Sequence, residues 1–103
     1  MAVAMIQEFK ITDRSTDGYD EVARRVREAT NGNVPGLVVH TAGFDEDAGV
    51  FRILDVWKSR ADADRFIEQT LNPILGEVMA GRDDAPPPDR EGFYELHDVI
   101  EGA

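Results

Sequence analysis

Twice along this chain of 103 residues the apolar side chains change their spacing from every second position to every third or fourth. The first change separates Val3–Ile11 from the run Tyr19, Val22, Ala23, Val26 and Ala29. In Val3–Ile11, Val3, Met5, Gln7, Phe9 and Ile11 alternate with Ala4, Ile6, Glu8 and Lys10. The second separates Val50–Lys58 from the stripe Ala63, Phe66, Ile67 and Leu71. A period of two belongs to a strand, and a period near 3.6 to an amphipathic helix. Asn31-Gly32 supplies a stop for the first helix. Ser59, with Asp62 three residues on, supplies a start for the second. Between the two halves, Gly36–Phe44 reads as a strand. The acidic loop Asp45–Gly49 joins it to Val50–Lys58 as a hairpin. Asn72-Pro73 interrupts the second helix, because proline disfavours helical backbone in the residue before it. Ile74, Leu75, Val78 and Met79 mark a further short helix beginning at Pro73. A proline-rich loop, Gly81–Gly92, leads to a last strand over Phe93–Ile100.

The predicted order is β-α-β-β-α-β. This is an α+β, ferredoxin-like arrangement: one four-stranded antiparallel sheet with helices on one face. The length suits a single domain spanning 1–103. Hydrophobic content of 42% and charged content of 31% fit a globular chain rather than a disordered one. The formal net charge of −10 repels phosphate backbones and anionic lipid, so neither nucleic acid nor a membrane is an expected partner. No apolar run approaches the length of a membrane span, and "MAVAMIQEFK" lacks the basic and long apolar regions of a signal peptide. There is no cysteine, which excludes disulfides, thiolate metal sites and cysteine nucleophiles, and fits a reducing cytoplasm. A cytoplasmic location is the expectation.

Strands with one wet face should alternate cleanly, and these do not. Phe51, Ile53 and Trp57 share one side of the third strand, and Val50, Leu54 and Val56 the other. Leu37 and Val39 are expected to oppose Val38, Ala42 and Phe44. Phe93 and Val99 are expected to oppose Tyr94, Leu96 and Ile100. Two helices cover only one face. A second copy of the chain packed on the other would hide it, so a homodimer through the sheet face is predicted.

Five residues stand out as candidates for a site. Pairing Phe44 with Gly49 across the hairpin loop sets His40 opposite Ile53, on the face of Asp55 and Trp57, with Asp55 a diagonal neighbour. A carboxylate there could position a neutral imidazole as a general base, so His40 and Asp55 form the candidate catalytic pair. A loop one residue longer or shorter would turn His40 to the other face. A histidine satisfied by a local hydrogen bond is the plainer alternative. Arg52, on the opposite face, is expected to pair across the dimer or at its rim. Tyr19, Phe66 and Trp57 lie on apolar faces; each is either core or the wall of a pocket for a small hydrophobic ligand. His40 and His97 have no short ligand spacing, so no metal is expected. Neither a glycine-rich phosphate loop nor a nucleophile elbow is present.

The strand bearing Pro35-Gly36 and His40, followed by "FRILDVWKSRADADRF" and "LNPIL", resembles the antibiotic-biosynthesis-monooxygenase-like domains of the dimeric α/β barrel superfamily. Those domains often end a strand in Trp-acidic-Ser; here the segment is Trp57-Lys58-Ser59, with Phe66 in the helix beyond. The resemblance implies a dimeric barrel and a pocket between sheet and helices flanked by Trp57. It also implies a cofactor-independent oxygenase of aromatic polyketides or quinols. Haem-degrading relatives pair the tryptophan with a first-strand asparagine and a helical histidine. Both are missing here, so no cofactor is expected. The alternative is a non-catalytic dimer that binds a small ligand or serves as an accessory protein.

Overall fold

The computed structural model describes residues 1–80 and 87–102. Four strands, β1 (Val3–Lys10), β2 (Leu37–Asp45), β3 (Val50–Trp57) and β4 (Arg90–Glu95), form one antiparallel sheet in the order β2-β3-β1-β4. This is the ferredoxin-like α+β topology read from the spacing. Helix α1 spans Asp17–Thr30 and ends on Asn31 in left-handed backbone, followed by Gly32 at φ 75°. Helix α2 covers Arg60–Phe66, with the Ser59 hydroxyl accepting from the Asp62 amide at 3.1 Å.

Asn72-Pro73 does not break the second helix. A π-helical turn, Ile67–Leu71, joins α2 directly to α3 (Asn72–Met79), and the Asn72 amide reaches back to the carbonyl of Ile67. The wider turn re-partners the backbone just ahead of a residue that has no N–H, so the chain stays helical where proline would otherwise end it.

Side chains alternate about the sheet. Phe51, Ile53, Asp55 and Trp57 of β3 lie under the helices: Trp57 meets Phe66 of α2 at 5.4 Å between rings, and Phe51 meets Tyr19 of α1 at 5.5 Å. The buried cluster is Val3, Met5, Trp57 and Ala63, with Val34, Leu37, Ile53, Phe66 and Phe93 packed around it. Trp57 is 1% exposed.

Two details of β2 differ from expectation. Leu37 pairs with Trp57 but Val39 pairs with Val56, so Val38 is an extra residue in a β-bulge. Leu37 therefore faces the helices and Val39 the opposite side; the two do not share a face. Beyond the bulge, Asp45 pairs with Val50 and Phe44 with Phe51 rather than with Gly49. The hairpin loop is closed by the Gly49 amide bonding to the Asp45 carbonyl at 2.9 Å, with Gly49 at φ 72°. Strand β4 begins at Arg90, inside the stretch read as loop, and stops at Glu95, which pairs with Val3 at the start of β1. One residue beyond, the Leu96 amide still donates to the Ala2 carbonyl at 3.0 Å. Residues 81–86 of the expected proline-rich loop lie outside the described residues.

Candidate functional site

The face opposite the helices is mixed. Val39 and Tyr94 are 45% and 50% exposed there, beside half-buried Ile6, Leu54 and Val56. At the other end of the same face, Glu8 receives Arg52 at 2.6 Å and Arg90 at 3.4 Å, and Arg52 also holds Asp45 at 2.7 Å. Arg52 is thus paired within its own chain. The Arg52 hydrogen bond holds the Glu8 carboxyl below its ordinary range, and the same guanidinium does so for Asp45.

The helix-covered face carries the group of interest. The hairpin register sets His40 of β2 directly opposite Asp55 of β3, not opposite Ile53. The shift is two residues, so His40 keeps the face assigned to it while moving from a diagonal to a direct partner of Asp55. Its Nδ1 lies 2.5 Å from Asp55 Oδ1. Its Nε2 lies 2.6 Å from the hydroxyl of Tyr19, in the first turn of α1. The two rings are nearly parallel, 8° apart with centroids 6.1 Å apart.

Asp55 is more deeply buried than His40. The Asp55 side chain is 8% exposed and that of His40 is 40% exposed. A buried carboxylate beside an imidazole favours the imidazolium. The Asp55 hydrogen bond accordingly raises the His40 pKa above its ordinary value, against burial and the Arg27 charge, which lower it. Burial, and after it the Asp55 charge, raise the Tyr19 phenol. With Nδ1–H donated to Asp55, neutral His40 has one lone pair left, at Nε2, and the Tyr19 hydroxyl donates to it. The arrangement can therefore accept a proton at His40 and stabilise the resulting cation. Sequence spacing gave no sign that Tyr19 would reach His40.

Trp57 and Phe66 are not beside His40 in the same manner. Trp57 is two residues along β3 from Asp55, on the same face, and is sealed into the core against Phe66. Its indole Nε1 is buried with no hydrogen-bond partner among the described residues. The surface depressions among the described residues include two shallow ones. One, of about 280 Å³, is lined by Thr41, Ala42, Gly43, Phe44, Asp45, Arg52 and Leu54. The other, of about 480 Å³, is lined by Arg24, Arg25, Glu28, Ala29, Ile74 and Glu77. Neither is lined by Tyr19, His40, Asp55, Trp57 or Phe66. Among the described residues no three histidine, aspartate or glutamate side chains converge as a metal site. No helix among them is long and apolar enough to cross a membrane. His97, beyond β4, is exposed.

No protein-family model matches the chain, and no curated protein does. Solved structures do match. A candidate antibiotic biosynthesis monooxygenase from Chloroflexus aurantiacus superposes with a TM-score of 0.66 at 16% identity, over 98% of each chain. SnoaB, a cofactor-independent oxygenase from Streptomyces nogalater, gives 0.63 at 17% identity, again over 98% of each. A Nitrosomonas europaea protein of unknown function gives 0.66 at 14% identity, over 99% of this chain and 95% of that one. The chain thus has the antibiotic-biosynthesis-monooxygenase-like ferredoxin fold. At these identities the likeness shows fold alone.

Proposed function

We propose that this chain is a cofactor-independent monooxygenase of a small hydrophobic aromatic substrate, working as a homodimer. The observation that carries the reading is the Tyr19–His40–Asp55 chain of hydrogen bonds, with a buried carboxylate behind a half-exposed imidazole. His40 is the proton acceptor of the site and Asp55 positions it. The substrate class is a ring-conjugated ketone with an activated methylene. Loss of one methylene proton to His40 gives an enolate that passes an electron to dioxygen; the two radicals combine as a peroxide anion, which takes the proton back from the His40 imidazolium to become a hydroperoxide. Departure of the second methylene proton with cleavage of the O–O bond leaves a carbonyl and releases water. One O₂ becomes one carbonyl oxygen and one water, so no further reductant is needed. Fold likeness to a cofactor-independent oxygenase supports this chemistry. Trp57 and Phe66 are the proposed aromatic wall.

The dimer partner is proposed for the face bearing Val39, Leu54, Val56 and Tyr94, which the helices leave bare. A cytoplasmic setting remains part of the proposal, resting on the absence of cysteine.

A second reading has one observation in its favour. The two depressions described above are not lined by His40, as a non-catalytic ligand-binding or accessory protein would allow. Oxygen uptake separates the two. With a polycyclic aromatic ketone and a chelator present, the native protein should consume oxygen. His40→Gln should lower the rate by about 100-fold or more, as expected for loss of a general base. Binding of the ketone with no uptake by the native protein would select the non-catalytic reading.

A further inference from the structure

His40 has no free lone pair with which to meet a substrate. Its Nδ1 is committed to Asp55 at 2.5 Å and its Nε2 to the Tyr19 hydroxyl at 2.6 Å. The Tyr19 oxygen makes no other hydrogen bond among the described residues, and a phenol oxygen that donates its hydrogen keeps acceptor capacity. The ring is held in place by Phe51, which meets it edge-on at 5.5 Å, and Phe51 is held in turn by Phe44 at 5.0 Å. We propose that Tyr19, not His40, is the group that touches the substrate, as the first member of a two-proton relay.

This rests on the acid–base reading of the site and assigns the contact within it. The substrate C–H bond breaks, and its proton joins the Tyr19 oxygen. In the same event the O–H bond of Tyr19 breaks, and that proton joins His40 Nε2. Tyr19 ends as it began, neutral. The electron pair of the C–H bond stays on the substrate as an enolate, and the positive charge rests on an imidazolium held by Asp55. No free phenolate forms. That matters because burial and the Asp55 charge disfavour a Tyr19 anion, with Asp20 adding to them and only Arg27 opposing.

The test needs no oxygen. Beta-tetralone, an aromatic ketone with an activated methylene, is incubated under argon in deuterated buffer, and loss of its methylene proton signal is followed by NMR. The native protein should accelerate exchange. Tyr19→Phe, which keeps the ring against Phe51, and His40→Gln should each lose about 100-fold or more of that acceleration. Circular dichroism confirms that both variants fold. If Tyr19→Phe exchanges as fast as the native protein or faster while His40→Gln is slow, Tyr19 is only a cap displaced by substrate. The relay is then wrong and the acid–base site stands. If the native protein gives no acceleration, or if His40→Gln matches it, the acid–base reading itself fails and takes the relay with it.

Discussion

His40 and Asp55 face one another across the β2–β3 pair, Nδ1 to Oδ1 at 2.5 Å, with the carboxylate buried and the imidazole half open. The hairpin fixes this contact. Moving the register by one residue would carry His40 to the opposite face and leave Asp55 buried without it.

The pair makes stability depend on pH in a defined direction. His40 has a folded pKa raised above its ordinary value, so its extra stabilisation is complete below that ordinary value, about 6.5. It is lost as pH rises through the folded value. Asp55→Asn should therefore cost more stability in mildly acidic buffer than in alkaline buffer. Urea melts of both proteins across that range measure the difference; a penalty that is flat or grows with pH would contradict the coupling.

At the far end of β3, Trp57 is the largest fully buried side chain. Trp57→Ala should destabilise the fold by ~3–5 kcal/mol, because the cavity under α2 cannot fully collapse. Chemical denaturation reads this directly. A loss below about 1 kcal/mol would mean that the ring sits in a space the fold does not need filled.

Acid should act through the other face. Glu8 has a folded pKa below its ordinary 4.5, set first by the Arg52 hydrogen bond. Its contribution is present above that ordinary value and disappears as pH falls through the depressed one. The melting-temperature advantage of the native protein over Glu8→Gln should shrink between about pH 6 and about pH 3. An unchanged gap would show that the Glu8–Arg52–Arg90 cluster carries no pH-linked stability.

The bare sheet face predicts mass. Sedimentation at micromolar concentration should give twice the 11.4 kDa of one chain, and Val39→Glu with Tyr94→Glu should halve it. A native chain that runs as a stable single copy would remove the proposed dimer.

Element order was legible because the spacing of apolar residues changes cleanly at both strand–helix junctions. What spacing does not encode is where a ladder slips or ends. The Val38 bulge reassigns Leu37 and Val39, yet "LVVH" reads equally well without it. Strand β4 stops at Glu95, with the Leu96 amide still bonded to the Ala2 carbonyl, although Val99 and Ile100 continue an apolar pattern. Pro73 looked like an interruption because a single-residue rule cannot anticipate a π-turn that absorbs it. In the site, the shared face of His40, Asp55 and Trp57 followed from parity alone, which a two-residue change of register leaves intact. The direct His40–Asp55 pairing needed the true loop closure. The Tyr19 contact depends on how α1 lies over the sheet, and nothing local to "DGYDEV" reports that.

The central claim is that Asp55 and Tyr19 together fix the protonation geometry of His40, and nitrogen-15 NMR of the imidazole tests it most directly. Neutral His40 should carry its proton on Nδ1 with Nε2 as acceptor, and should titrate above the ordinary histidine value. Asp55→Asn should bring that titration down. A neutral ring protonated on Nε2, with a titration that Asp55→Asn leaves unmoved, would contradict the account.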